Sequence, residues 1–331
     1  MSTAKEIRTI LAAYPADLRV SEAEFLAGAG GFSGARFWRL KTGSRLLCLR
    51  RWPVDCSADK LRFIHEVLQH VAREGVSVVP VPIETTSRET IVRGGGHLWE
   101  LAPWLMGTAD YHERPSTARL GAAMRTLAEF HHAAESFPGG SAALRTSPGV
   151  ISRMDLVTAW QAGDVERLQR AVSSSSVSGL ATVARDIIEL FQPRAADLYD
   201  DLRAAASLRV RLQPCIRDIW DQHVLFEGDR VAGIVDFGAM RIDSVATDIQ
   251  RLLGSMAGNV RDAWERGIKA YSATHELADD ERRLIATLDR STLLLSGMNW
   301  LRWLFLENRQ FDDFAAVITR LRTIRNRLAG V

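Results

Sequence analysis

Hydrophobic and polar positions alternate differently in two parts of the chain. Up to about residue 103, short apolar runs separated by glycine or charged turns predict strands, and two segments with helical spacing predict helices. The predicted strands cover residues 36–40, 46–53, 75–82, 90–93 and 97–101. The predicted helices cover residues 4–14 and 58–74, the second with Ser57 as its N-cap.

After residue 103 an apolar residue recurs every three or four positions. Helices are predicted over residues 116–135, 151–172, 180–206, 243–256, 260–275, 278–307 and 311–328. A Gly/Pro/Ser-rich loop at 137–149 and a serine run at 173–178 interrupt them. This shift from strands to helices predicts two parts, residues 1–103 and 104–331, and an α+β fold class.

The composition is that of a soluble globular protein, with 47% hydrophobic and 25% charged residues. A net charge of +2 gives no electrostatic reason to expect nucleic acid or a membrane as partner. The three cysteines, Cys48, Cys56 and Cys215, include no C-x-x-C pair, which favours a reducing compartment. Neither an apolar leader nor a run of about 18 apolar residues is present, so a cytoplasmic location is expected. The sequence does not indicate an oligomeric state.

One stretch of the helix-rich part, residues 215–238, has the pattern of strands rather than of helices. Apolar runs at 224–226 and 231–235 flank a turn at 227–230 and predict a β-hairpin, which would hold Asp218, His223 and Asp236 close together. Two acids so placed suit a reaction in which one carboxylate handles a hydroxyl proton and another holds a divalent cation near phosphate. Each acid alone is also common as a loop cap or turn residue.

A glycine-rich segment between two predicted strands is a candidate phosphate site. Its residues Gly30, Gly31, Ser33 and Gly34 would let backbone amides approach a ligand closely, although a hairpin turn without a ligand has the same appearance.

A basic residue at the end of the next strand would reach bound phosphates. Arg50 or Arg51 is the candidate, and only one of them can serve because neighbouring strand residues face opposite sides. Glu66, on the following helix, would pair with that arginine or stay solvated on the helix surface.

The order of these parts resembles the aminoglycoside phosphotransferase and choline kinase-like family over nearly the whole chain. Residues 30–34 are similar to its nucleotide-positioning loop, Leu49-Arg50 to its phosphate-contacting strand end, and residues 127–131 to its Leu-x-x-Leu-His helix. The resemblance implies a bilobal protein-kinase-like fold. Its β-rich N-terminal lobe, residues 1–103, would bind ATP or GTP, with Leu101 and Pro103 contacting the base. The mainly helical C-terminal lobe, residues 104–331, would carry the catalytic loop and the acceptor site.

The family's catalytic signature, H-G-D-x-x-x-x-N followed by a strand and I-D-F/W, resembles residues 216–223 and 235–238. By that match Asp218 would be the catalytic base and Asp236 would hold Mg²⁺. Asp248 resembles the acid that braces the catalytic loop. The implied enzyme is a phosphotransferase that moves the γ-phosphoryl group to a hydroxyl of a small metabolite or antibiotic-like acceptor.

Two departures from that signature matter. Ile216 replaces the histidine, whose family role is to support loop geometry, and His223 replaces the metal-binding asparagine. Imidazole suits Mn²⁺ better than Mg²⁺, and Asp221 or Gln222 are alternative oxygen donors. His223 could instead be a core histidine hydrogen-bonded across the hairpin. Two hypotheses follow: an active kinase that uses Mg²⁺ or Mn²⁺, or a catalytically impaired pseudokinase that acts as a nucleotide-binding regulatory or interaction module.

Overall fold

The computed structural model describes residues 3–18, 20–27, 34–43, 45–139, 141–174, 178–311 and 313–330. It divides into two compact units, Met1–Arg114 with Gln222–Met240, and Pro115–Asp221 with Arg241–Val331. The chain therefore returns to the first unit for one short segment, which contains the hairpin predicted at 224–235. The lobe boundary predicted at residue 103 stays a prediction.

The strands and helices occur in the following order. The strands are β1 Glu22–Leu26, β2 Arg36–Thr42, β3 Arg45–Arg51, β4 Val92–Gly94, β5 His97–Pro103, β6 Ser141–Arg145, β7 Val210–Cys215, β8 Val224–Glu227, β9 Arg230–Ile234 and β10 Arg241–Asp243. The α-helices are α1 Thr3–Leu11, α2 Ala58–Arg73, α3 Thr117–Glu135, α4 Pro148–Ala159, α5 Val165–Ser173, α6 Ser178–Phe191, α7 Ala195–Ala205, α8 Ala246–Ala257, α9 Arg261–Ser272, α10 Asp279–Leu301 and α11 Phe314–Ala329.

The first unit contains a five-stranded antiparallel sheet with strand order β1-β2-β3-β5-β4. Alternate side chains of β2, β3 and β5 point to one face, where Trp38, Leu49 and Trp99 are buried with Ile7 and Ile10 of α1. The hairpin predicted at 224–235 is confirmed as the antiparallel pair β8 and β9. The predicted helix 58–74 is confirmed as α2, and the Ser57 side chain accepts a hydrogen bond from the Lys60 amide.

The strand predicted at residues 75–82 is wrong. This valine-rich segment is irregular in the structure. Pro80 and Pro82 lack the amide hydrogens that a strand would donate to a neighbour, which explains why no ladder forms. The segment is still held by isolated bonds, because Ile234 donates its amide to the Val78 carbonyl at 2.7 Å.

The second unit is mostly helical, but it also holds a three-stranded antiparallel sheet with order β10-β7-β6. None of these strands was predicted from the sequence, and β6 lies inside the predicted loop 137–149. Two predicted long helices are interrupted, at Gly163, whose φ is +112°, and at the Gln192–Arg194 turn, which contains Pro193.

The fold class is confirmed: an antiparallel sheet forms the N-terminal part and helices dominate the C-terminal part. None of the described helices is long and apolar enough to span a membrane.

Candidate active site

In the first unit, Arg50 at the end of β3 and Asp236 after β9 form an ion pair. The Arg50 Nη2 atom lies 3.3 Å from Asp236 Oδ1, and the arginine is buried whereas the aspartate is partly exposed. Trp52 covers one side of the guanidinium, with its ring centroid 3.6 Å from Cζ. A basic group and an acidic group distant in sequence are thus brought together and held in place.

Arg51 and Glu66 do not join this pair. Arg51 lies near the Trp99 ring, 5.8 Å from its centroid, as expected for the neighbouring residue of a strand. Glu66 is exposed on α2, and no ion pair connects it to Arg50 in the part of the chain that the structure describes. The inward position beside Glu66 is occupied by a histidine, which explains why the glutamate stays at the surface.

That histidine, His65, and Glu100 of β5 form a buried pair that sequence reasoning missed. His65 Nε2 lies 2.6 Å from Glu100 Oε2. Burial alone would raise the pKa of Glu100, but the hydrogen bond from His65 and the charges of His65 and Arg50 outweigh it and hold the pKa below its usual value. The signal that the sequence offered for this pair was Glu100, a single acid among the apolar residues of a buried strand. His65, Glu100, Arg50 and Asp236 line one small cavity.

Asp236 has two different environments for its two carboxylate oxygens. Oδ1 faces Arg50, and Oδ2 lies 3.8 Å from His223 Nε2. Burial alone would raise the pKa of Asp236, but the charges of Arg50 and His223 and the Gly238 amide outweigh it and lower the pKa. Gly238 leaves the room this arrangement needs, since a Cβ atom there would lie 3.2 Å from Asp236 Oδ1 and 3.4 Å from Arg50 Nη2.

The Asp236 and His223 pair fits a divalent cation in part. One carboxylate oxygen and one imidazole nitrogen converge, a donor set that suits Mn²⁺ better than Mg²⁺. Of the two alternative oxygen donors, Gln222 is exposed and Asp221 belongs to the second unit.

Of the predicted glycine loop, only Gly34 falls within the described residues, and its φ of +76° is typical of glycine. Gly30, Gly31 and Ser33 lie outside the described residues. Leu101 is buried in β5, and Pro103 is exposed at its end.

In the second unit, the Asp218 carboxylate forms an ion pair with Arg251 of α8. Asp218 stands in a loop that begins directly after β7, and the pair is partly exposed. The side chain is therefore accessible at the surface of the unit, as a residue that meets a substrate must be.

Asp248, which is fully buried, holds the start of that loop. Its Oδ2 atom accepts a hydrogen bond from the Ile216 amide at 2.6 Å, and Oδ1 accepts one from the Arg217 amide at 2.7 Å. His131 adds a third contact, with Nε2 at 3.1 Å from Oδ2. Asp248 is thus observed in the bracing position expected of it. Only the backbone amide of Ile216 takes part in this contact, and the Ile216 side chain is buried in the core.

Arg217 is a third departure from the signature, because it stands where the family motif has glycine. Its φ is +69°, a left-handed conformation that costs an L-residue about 1–2 kcal/mol. The bond from its amide to Asp248 and an ion pair between its guanidinium and Asp243 hold it there.

Comparison with known proteins places this arrangement in a family. The profile of the phosphotransferase enzyme family matches residues 24–286. The chain belongs to that family. The class expected from the sequence, a phosphotransferase acting on a hydroxyl acceptor, is confirmed.

Three proteins illustrate what this phosphotransferase is similar to. A homoserine kinase from Methylocella silvestris is 28% identical over 269 residues, which cover 77% of this chain and 72% of that protein. A spectinomycin phosphotransferase, solved with ADP and spectinomycin, has a TM-score of 0.67 at 11% identity and covers 99% of this chain and 98% of its own. An amicoumacin kinase, solved with AMP-PNP and Ca²⁺, has a TM-score of 0.65 at 13% identity, with 98% and 94% covered. The two structures establish the fold.

The buried His275 predicts a pH dependence of the stability of this phosphotransferase. His275 is buried, and burial together with the positive charges of His131 and Arg211 lowers its pKa to about 4. The unfolded chain binds a proton near pH 6.5, so between these values the unfolded state is the more protonated one and stability falls as the pH falls. We expect His275 to account for a loss of about 3 kcal/mol in the free energy of unfolding between pH 6.5 and 4.

The measurement is the melting temperature across this pH range for the wild type and His275→Gln. The variant should show the shallower dependence. Equal slopes for the two proteins would show that His275 does not titrate as stated.

Proposed function

We propose that the chain is a nucleotide-dependent small-molecule kinase that transfers the γ-phosphoryl group of ATP or GTP to a hydroxyl of a small acceptor. The observation that carries this proposal is Asp218, partly exposed in a loop whose first two amides are bonded to the buried Asp248. The first unit retains the companion pair, Arg50 and Asp236. Retention of both carboxylates favours an active enzyme over the pseudokinase alternative.

Each group has a proposed part in this reaction. Arg50 binds nucleotide phosphate, with the amides at Gly30, Gly31, Ser33 and Gly34, while Leu101 and Pro103 contact the base. Asp236 and His223 would hold the divalent cation, which neutralises charge on the phosphates when bound. The predicted contribution of Glu66 to nucleotide binding remains a prediction, and its exposure favours the solvated alternative.

Asp218 aligns the acceptor hydroxyl. A bond forms between the hydroxyl oxygen and the γ-phosphorus as the bond from that phosphorus to the β,γ-bridging oxygen breaks, and the nucleoside diphosphate leaves. The hydroxyl proton passes to the Asp218 carboxylate and from there to solvent. Positioning and electrostatic stabilisation dominate such transfers, which is why a loop anchored by a buried carboxylate is relevant.

The similar proteins support this proposal by the activities in their names. They are a homoserine kinase, a spectinomycin phosphotransferase solved with ADP, and an amicoumacin kinase solved with AMP-PNP. All three names describe phosphoryl transfer to a small molecule.

The proposal is tested by a nucleotide-consumption screen. The full chain is incubated with ATP or GTP, pooled hydroxyl compounds and either Mg²⁺ or Mn²⁺, and release of the diphosphate is measured. Acceptor-dependent release is expected. Nucleotide-induced stabilisation without release from any pool would favour the pseudokinase, and the absence of stabilisation by either nucleotide with either metal would contradict nucleotide binding altogether.

His223 predicts a preference between the metals. Because its imidazole stands beside Asp236 where the family signature has an amide oxygen, we expect His223→Asn to raise activity with Mg²⁺ relative to Mn²⁺ by about tenfold, the scale seen for changes around a metal site. The ratio of kcat/KM with the two metals measures this effect. The control is His112→Asn, which changes an exposed histidine, and its melting temperature shows whether it is folded. An unchanged ratio in His223→Asn would place His223 outside the cation site.

A further inference from the structure

Four arginines of the second unit, which we call the arginine cluster, lie near one another, and two of them act directly on Asp218. They are Arg153 of α4, Arg217 of the loop, Arg251 of α8 and Arg320 of α11. Four separate segments of the chain therefore each bring one guanidinium to the same place. Such convergence is unusual for solvated surface charges, because neighbouring like charges repel.

Arg153 is the member whose charge has no acidic partner. Its Nη1 donates to the Gly149 carbonyl at 3.0 Å and its Nη2 to the Thr292 hydroxyl at 3.2 Å, and no carboxylate pairs with it among the residues that the structure describes. Burial, and then the charges of Arg217 and Arg251, lower the pKa of Arg153 to about 9. The protein thus holds a partly buried cation beside two other cations.

The contact around Gly149 brings two of these groups together. A Cβ atom at this glycine would lie 2.8 Å from Asp243 Oδ2, 3.1 Å from Arg217 Nη1 and 3.2 Å from Arg153 Nη1, so both guanidinium groups and one carboxylate oxygen crowd the same backbone position. Arg217 is paired with Asp243, whose Oδ1 also accepts a hydrogen bond from Ser147 at 2.5 Å. Asp243 is therefore already engaged by Arg217 and Ser147, and it forms no ion pair with Arg153 among the described residues.

The other two members flank Asp218. Arg251 pairs with the Asp218 carboxylate. Arg320 is stacked over Trp220, with Cζ 4.5 Å from the ring centroid, and the charges of Asp218, Asp221 and Arg251 all act on it. Arg251, the cation beside the proposed base, is thus also one of the charges that act on Arg153.

We propose that the arginine cluster is an acceptor-recognition site for hydroxyl compounds that carry an anionic group, either a carboxylate, a sulfate or a phosphate. Planar guanidinium groups bind such oxyanions with two parallel hydrogen bonds, and Arg153 with Arg217 is the pair placed to do so. An anion there also attracts Arg251, which releases an oxygen of Asp218 for the acceptor hydroxyl. A polycationic acceptor would be repelled by the same charges.

This inference rests on the proposed function, because it places the acceptor beside Asp218, but its first test needs no turnover. The melting temperature of the full chain is followed with increasing inorganic phosphate, against sodium chloride at equal ionic strength. We expect a phosphate-specific rise in the wild type that Arg153→Gln loses and the exposed Arg322→Gln retains. Equal phosphate effects in the wild type and Arg153→Gln, or a phosphate effect absent from the wild type, would overturn the proposed anion site.

The second test uses acceptors that differ by one group. The carboxylate is separated from the amine by comparing L-homoserine, 4-hydroxybutyrate and 3-amino-1-propanol. Phosphate is tested by comparing glycerol phosphate with glycerol, and sulfate by comparing a hydroxyalkyl sulfate with the alcohol that lacks the sulfate. We expect turnover only with anionic members, and a KM in Arg153→Gln about 10- to 100-fold higher with kcat nearly unchanged, because a hydrogen bond to a charged group is lost.

The two proposals fail in different ways. Turnover that is equal with anionic and uncharged members would overturn the anion site and leave the kinase proposal standing. Phosphate stabilisation that depends on Arg153, with no diphosphate release from any acceptor, would support the anion site and contradict the kinase proposal. A KM that stays high in Arg153→Lys, which keeps the charge but lacks the planar fork, would identify the fork of the guanidinium as the recognition element.

Discussion

Replacement of Asp218 by Asn is expected to lower kcat by about 10²- to 10⁴-fold, the range lost when a positioned acid or base is removed. The amide has nearly the same shape but accepts no proton from the acceptor hydroxyl. It also carries no charge, so Arg251 loses the partner that it has in the structure. Nucleotide binding should be unaffected, because the residues proposed for it belong to the first unit.

Two measurements make this prediction specific. Steady-state diphosphate release gives kcat, and the nucleotide-induced rise in melting temperature shows whether the variant is still folded and binds nucleotide. The matched control is Asp262→Asn, an exposed aspartate of the same unit. If Asp218→Asn turned over at the wild-type rate, Asp218 would not be the base, and the proposed reaction geometry would be wrong.

Replacement of Asp248 by Ala is expected to cost about 3–5 kcal/mol of stability and to lower kcat as well. The fully buried carboxylate satisfies the amides of Ile216 and Arg217 and the Nε2 atom of His131, and each donor would be left without its partner. Arg217 would also lose the bond that holds its left-handed backbone. Since Asp218 follows directly, its carboxylate would lose its position.

The melting temperature and kcat of Asp248→Ala measure these effects separately. A purely structural role would leave the kcat of the folded fraction unchanged. A positioning role lowers kcat even at temperatures well below the melting temperature, where the variant is folded. Asp186→Ala removes a half-exposed carboxylate 3.8 Å from Arg325 and should stay within about 0.5 kcal/mol of the wild type. Equal behaviour of the two variants would contradict the bracing role of Asp248.

The helices with long apolar faces could be predicted from the sequence. The helix α3 begins at its cap Ser116 as expected, and α2 and the hairpin of β8 and β9 match their predicted positions closely. Periodicity decides these elements because each buries one continuous face. The strands β6, β7 and β10 were missed because each has six residues or fewer, which is too short to show a clear periodicity. Their pairing partners are also far away in sequence.

The candidate site was predictable only as far as local motifs extend. Asp218, His223, Asp236 and Arg50 belong to motifs with fixed spacing, and the structure pairs Arg50 with Asp236. The choice between Arg50 and Arg51 needed the sheet, because only the pleat shows which arginine faces the aspartate. His65 and Glu100 were missed because each is unremarkable in its own segment, and they meet only across the first unit.

The sequence by itself determined the family, the fold class and the order of the proposed catalytic residues, since these depend on motif spacing and on periodic burial of apolar faces. Tertiary structure alone decided which charges meet. It paired Arg50 with Asp236, left Glu66 at the surface, and brought Arg153, Arg217, Arg251 and Arg320 near one another, with Arg251 paired to Asp218. The physical reason is that a charge is stabilised or destabilised by neighbours within a few ångströms, and for these residues the neighbours come from remote parts of the chain.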